Sequence, residues 1–316
     1  MSAPTAPPQS KDTAKAKPKR RLGDTVFGGL SAASAFSILL ILAGVALFLL
    51  VEAAPVVGAD PADLTGGEGF ASYVWPLVFG TLLASIIAMT IATPVAVGIA
   101  LYVSHYAPKR LANGVGFVID LLAAVPSVVF GMWGFQVFAP RLVPLFVWLE
   151  EHLGFLPFFE SASRTGRTLL TASLVLAVMI LPIITSVSRE VFLQTPRLHE
   201  EAALALGATK WEMIRTAVLP FGRPGVIGGT MLGLGRALGE TMAVAIILSP
   251  GGPTWNLINT GNQTVPAEIA LNFPEAAGLR LSELIAAGLV LFGITLGVNL
   301  TARWIVSRRS EFSGAN

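Results

Sequence analysis

The sequence predicts an all-α integral membrane protein with six transmembrane helices, and three observations carry that expectation. Hydrophobic residues make up 53% of the 316-residue chain and charged residues only 13%, where a soluble domain has about a quarter charged; mean hydropathy is +0.71. Apolar runs long enough for a bilayer recur along the chain, and a helix needs about 20 such residues because every backbone amide must be satisfied internally in hydrocarbon. The basic residues, finally, gather in alternate connections. The absence of Cys excludes disulfides, thiol redox chemistry and Cys-based metal centres. His105, His152 and His199 lie far apart without metal-ligand spacing, and a net charge of +2 makes no case for nucleic acid.

Residues 1–24, rich in Pro, Ala and Lys, lack a hydrophobic pattern and are expected to form a disordered basic tail. The first span runs from Thr25 to Val51 without a charge; it is longer than the apolar core of a signal peptide and no small-residue cleavage motif ends it. The second, from Trp75 to Ser104, is also uncharged, and the third, Leu111 to Phe138, holds Asp120 near its start. Leu142 to Leu149 is interrupted by Pro144, too short to cross, and reads as interfacial or re-entrant. The fourth span is Thr168 to Ser188, the fifth Pro224 to Leu248 with Arg236 and Glu240 inside, and the sixth lies between Glu283 and Arg303. The membrane body thus covers 25–306, with a short tail at 307–316.

Orientation follows from Lys and Arg. One side collects Lys11, Lys15, Lys17, Lys19, Arg20 and Arg21, then Lys109 and Arg110, then Arg189, Arg197, Lys210, Arg215 and Arg223, and finally Arg303, Arg308 and Arg309. The opposite loops hold Arg141, Arg164, Arg167 and Arg280, and the loop after the first span has four acids and no base. Both termini are therefore expected in the cytoplasm of a multi-pass plasma-membrane protein.

The cytoplasmic loop 189–223 carries helix-stop and helix-start signals in close succession. Thr195-Pro196 reads as an N-cap followed by Pro at the first helical position, with a helix to Leu206 ended by Gly207. Thr209-Lys210-Trp211-Glu212 then has the capping-box spacing for a second helix that Pro220 interrupts. Glu201-Ala202-Ala203, Gly207 after three residues, and Leu219-Pro220 at the end resemble the EAA loop of permease subunits of bacterial ATP-binding-cassette importers; Ala217 stands where that family has Ile. The resemblance implies that Glu201, Ala202, Ala203, Gly207, Leu219 and Pro220 form a coupling element seated in a groove of a separate ATPase. A plain, well-capped connector is the alternative.

Within the fifth span, Arg236 and Glu240 are four apart, share one helical face and can pair directly. Charges at such depth face a bundle interior and mark a substrate path: Arg236 offers planar, bidentate donors to an oxyanion, with Glu240 holding it ready. A structural ion pair locking the helix is the other account. Gly229/Gly233 and Gly235/Gly239 have the spacing of close helix packing; as a dinucleotide fingerprint the glycines fail, because the third comes one position late and no strand precedes them.

Pro94, Pro126 and Pro182 mark kinks in the second to fourth spans. Val125-Pro126-Ser127-Val128-Val129-Phe130-Gly131 and the stretch Leu234 to Thr241 followed by Met242-Ala243-Val244 resemble the two signatures of phosphate-specific permeases. The whole chain is thus similar to the PstC-type permeases of phosphate importers, rather than their PstA-type sisters. That resemblance implies a type I ABC importer permease fold and partners: a homologous PstA-type permease, a PstB-type ATPase dimer that binds ATP-Mg, an external PstS-type phosphate-binding protein, and the bilayer. This chain has no P-loop motif and is read as a transport component, without enzymatic activity or a cofactor of its own. A permease for sulfate or molybdate, an ion-coupled secondary transporter, and least of all a membrane enzyme are the rival readings. The segment from Ser249 to Leu281, with Trp255, Asn256, Asn259, Asn262 and Gln263, reads as an outer gate, a seat for a binding protein, or a solvated loop.

Overall fold

The computed structural model describes residues 22–249 and 251–310, so the expected disordered tail lies outside the described residues up to position 21, as does the end of the chain from 311. Among the described residues all regular structure is helical. The chain divides into two units at Leu49/Leu50. The first holds most of α1 (Leu22–Val57), which is apolar all round, as a membrane helix is.

In the second unit α2 (Phe70–Leu101) ends in a π-helical turn at Tyr102–Tyr106, followed by α3 (Lys109–Ala123), α4 (Ser127–Trp133), a π turn at Gly134–Phe138 and α5 (Ala139–Leu153). Then come α6 (Leu169–Leu193), α7 (Arg197–Ala205), α8 (Lys210–Met213), a third π turn at Ile214–Val218, α9 (Leu219–Gly239), α10 (Met242–Ile247), α11 (Val265–Asn272) and α12 (Leu279–Ser310). Five helical stretches are long and apolar enough to cross a membrane: Val26–Val57, Phe70–Tyr106, Ser127–Leu153, Leu169–Leu193 and Leu279–Trp304.

Two expected spans need correction. The third is not Leu111 to Phe138. Pro126 takes an extended backbone (φ −59°, ψ 140°) and caps α4; lacking an amide hydrogen, it cannot continue the hydrogen-bond ladder of α3. The chain therefore breaks after α3, a separate amphipathic helix, and the spanning stretch runs on to Leu153. Leu142 to Leu149 consequently belongs to one continuous helical stretch long and apolar enough to cross, not to a short separate segment; Pro144 is carried inside α5. The fifth expected span is broken as well, α9 ending at Gly239 and α10 starting at Met242.

α6 is the central helix, with the most buried face of the candidate spans. α2 packs along it through alanines every fourth residue: Ala84, Ala88, Ala92, Ala96 and Ala100 are each at most 1% exposed. Small side chains at that spacing let two helices approach closely where lipid supplies no hydrophobic drive. α9 packs on α6 with glycines: a Cβ on Gly233 would lie 2.9 Å from Ile184, one on Gly229 3.1 Å from Val187, and one on Gly222 2.5 Å from Phe192.

Candidate functional site

The break between α9 and α10 places the intramembrane charges. Glu240 is extended (φ −68°, ψ 123°), so Arg236 and Glu240 do not share one helical face and no ion pair joins them. The expected pairing fails because a spacing of four brings side chains together only while the helix continues. Glu240 is 8% exposed, and its carboxylate instead accepts the Ala243 amide at 3.1 Å, serving an otherwise unpaired donor in the first turn of α10. The Thr241 hydroxyl donates to the Gly239 carbonyl at 3.0 Å. Arg236 is left half-buried, without a hydrogen-bond or ion-pair partner among the described residues.

The two glycine pairs also part company. Gly229 and Gly233 pack on α6, as the spacing predicts, whereas Gly235 and Gly239 have open space in front of them. Six positions along a helix lead to a different side, so the second pair clears room beside Arg236 instead of packing.

The two signature segments converge here. A Cβ on Gly131 of α4 would stand 2.8 Å from the Ala243 Cα of α10, and one on Gly134 would stand 2.8 Å from Ile247. Phe130, Ala243, Val244 and Ile247 share one buried cluster. Gly131→Ala is expected to destabilise the complex by about 1–3 kcal/mol, the usual cost of overpacking, and to depress transport. The clash is with backbone, which cannot rotate away; unchanged thermal unfolding and uptake would refute this account of the contact. Arg167 fixes the far end of α10: its Nη2 donates to the Leu248 carbonyl at 2.8 Å and its Nε to that of Ile247 at 3.3 Å, while the guanidinium lies 5.3 Å from the Phe135 ring centre. Sequence reasoning counted Arg167 only as an outward charge, and no local pattern marked it as a cap for α10.

The loop 189–223 is built much as its signals predict. Gly207 has φ +84°, and Thr209 and Glu212 form the reciprocal capping box. The Thr209 amide and hydroxyl donate to the Glu212 carboxylate at 2.8 Å each and hold its pKa below the usual glutamate value. At the start of α7 the cap is Pro196 itself, with the helix beginning at Arg197; Thr195, expected as the cap, is buried with its hydroxyl unpaired. Pro220 does not interrupt the second helix either. It sits in the first turn of α9, directly after the π turn Ile214–Val218, where its missing amide costs least.

Of the residues expected to couple, Glu201, Ala202, Gly207 and Pro220 face out, and Ala203 and Leu219 turn inward. Those two pack against a cluster of Ala100, Leu101, Phe192, Met213, Ile214 and Val218. Leu198 and Leu206 are 73% and 90% exposed, so α7 and its end present an apolar surface. Glu200, which sequence reasoning passed over in favour of Glu201, points inward instead: its Oε1 lies 3.5 Å from the Nε2 of His105.

The described part of the segment from Ser249 to Leu281 is folded, not a solvated loop. Asn256, Asn262 and Gln263 are buried. Asn256 donates to the Ser161 carbonyl at 3.0 Å, and Asn262 exchanges two bonds with the Thr254 backbone from a left-handed φ of 59°, which Asn tolerates. Nearby, Arg280 bridges Glu268 at 2.8 Å and Glu283 at 3.0 Å, and Glu283 accepts the Thr65 amide and hydroxyl. This network ties the loop after α1 to α11 and α12.

Residues 92–311 match the model of the family described as "Binding-protein-dependent transport system inner membrane component". Among curated relatives, the "Phosphate transport system permease protein PstC 2" of Mycobacterium tuberculosis is 47% identical, over 92% of this chain and 93% of its own length. The "Phosphate transport system permease protein PstC" of Xylella fastidiosa is 38% identical, over 90% of each. Among solved structures, a chain of a bacterial alginate ABC transporter, in complex with its alginate pentasaccharide-bound periplasmic protein, aligns with TM-score 0.64 at 18% identity. That alignment covers 93% of this chain and 97% of the other, and it places the fold among ABC importer permeases.

Proposed function

The chain belongs to the inner-membrane components of binding-protein-dependent transport systems and, among them, to the PstC-type permeases of phosphate importers, and from that premise we propose how its residues carry phosphate. The observation that carries the reading is Arg236: a half-buried guanidinium, unpaired among the described residues, beside the open faces of Gly235 and Gly239 at a helix break. A charge left uncompensated at membrane depth is costly and marks a pathway. Here it offers the planar fork that matches a tetrahedral oxyanion. Glu240 does not cancel it, being engaged by the Ala243 amide.

In this reading a PstA-type permease completes the passage, and a PstS-type protein delivers phosphate from outside. A PstB-type ATPase dimer hydrolyses ATP-Mg in the cytoplasm, where both termini of this chain also lie. The ATPase receives α7, with Glu201, Ala202 and Gly207 at the docking face and Leu219 and Pro220 where the loop enters α9. The apolar exposure of Leu198 and Leu206 supports that docking, because large apolar side chains left in water mark a contact surface. Hydrolysis then switches the permease pair between outward and inward access.

The test is uptake of labelled phosphate by cells lacking this chain and by the same cells with it restored. Uptake is expected to depend on the chain, to be inhibited by arsenate, and to be unaffected by excess sulfate. Inhibition by sulfate would transfer the assignment to another oxyanion, and uptake indifferent to the chain would remove it.

A further inference from the structure

We infer that His105 and Glu200 form the joint through which the docked loop moves α2, and that α2 carries the displacement to the outer segment. The inference rests on the docking reading above and names the residues by which the stroke leaves the loop.

His105 lies in the π turn Tyr102–Tyr106 that ends α2, and such wide turns recur where helices do work. Its side chain is 8% exposed and that of Glu200 24%, with Nε2 and Oε1 3.5 Å apart. On its other side the ring is fixed by Ser104, whose hydroxyl lies 2.7 Å from Nδ1. With Nδ1 engaged by Ser104, the opposite edge of the ring is the one that faces the Glu200 carboxylate. One residue on, the Lys210 ammonium of α8 sits 4.7 Å from the centre of the Tyr106 ring. α7 and α8 are thus fastened to the same turn, above the apolar contact of Ala100 and Leu101 with Met213, Ile214 and Val218.

From that turn α2 runs back along its alanine ladder to the outer segment. There Thr81 accepts the Val265 amide at 3.0 Å, and Gly80 lies directly against the Gln263 carbonyl. At about 1.5 Å per residue, one continuous helical element joins the cytoplasmic knuckle to the segment that folds over the outer side. A rigid helix gripped at both ends transmits displacement, provided that its inner grip does not slip.

The experiment uses the assembled complex in proteoliposomes and reads phosphate imported per ATP hydrolysed. His105→Ala and Glu200→Ala are each expected to lower that ratio about three- to thirtyfold while ATP hydrolysis and assembly persist. The double variant should be no worse than either single one, and His105→Lys, which keeps a cation facing Glu200, should restore most of the ratio. Unchanged ratios in the single variants, or effects that add in the double, would overturn the joint.

Should the alanine variants fail to assemble, the Cys-free chain allows His105→Cys with Glu200→Cys, bridged by a short thiol-reactive cross-linker. Coupled transport surviving the bridge supports a joint that moves as one piece; transport lost on bridging overturns it. If the unaltered complex carries sulfate in place of phosphate, only the choice of anion fails, and the ratio is read on sulfate. An absence of any ATP-driven transport removes the docking reading and the joint with it.

Discussion

Arg236→Gln is expected to cut phosphate uptake by a hundredfold or more while the importer still assembles. A guanidinium that grips an oxyanion with two charge-assisted hydrogen bonds gains about 1.5–3 kcal/mol from each, and Gln forfeits both together with the charge. Little stability is at stake, because among the described residues Arg236 has no hydrogen-bond or ion-pair partner to strand, and the close contacts of Gly229 and Gly233 that hold α9 to α6 are left in place. Arg236→Lys separates charge from geometry: a point charge without the planar fork should retain part of the uptake and lie between the native chain and the Gln variant. Labelled uptake, with co-purification of the partner subunits as the control for assembly, decides the matter. Normal uptake by the Gln variant would take Arg236 off the pathway.

Arg236 also illustrates which parts of the molecule its sequence discloses. That a lone Arg and a lone Glu sit in an apolar run is visible from composition, and so is their cost in a bilayer. Their pairing was an inference from spacing, valid only inside an unbroken helix, and hydropathy does not register the turn at Gly239–Thr241 that separates them. The third span went astray for the same reason. A hydropathy window sums over Pro126, whereas the backbone stops there and restarts, so α3 becomes a separate amphipathic helix and the spanning stretch shifts to Leu153.

Local rules fared better where local chemistry decides. Gly207 and the Thr209–Glu212 capping box are set by one backbone dihedral and one reciprocal pair of hydrogen bonds, both readable from residue type and order. The alanines from Ala84 to Ala100 were equally readable in their spacing, yet Ala hardly stands out from its apolar neighbours by hydropathy, and it is size that matters in close packing. Arg167 and Glu200 were out of reach, since their partners, the Ile247 and Leu248 carbonyls and the His105 ring, are distant in sequence.

Gly207 provides the second large effect. At φ +84° an L-residue pays about 1–2 kcal/mol, more if β-branched, and a Cβ there would meet nothing within 4 Å. The whole penalty is therefore conformational: Gly207→Val must either strain the knuckle or let it relax, and relaxation changes the angle between α7 and α8. With Glu200 and Lys210 both anchored on the end of α2, a changed angle displaces the outward face of α7, including Glu201, from the seat on the ATPase proposed above. Uptake and ATPase co-purification should fall about five- to thirtyfold in Gly207→Val, less in Gly207→Ala, and least in Gly207→Asn, whose side chain tolerates the left-handed region. Steric blockage of the docking face would instead rank the variants by bulk, making Asn worse than Ala. If all three variants co-purify and import like the native chain, the loop is a connector and the motor engages the membrane body elsewhere.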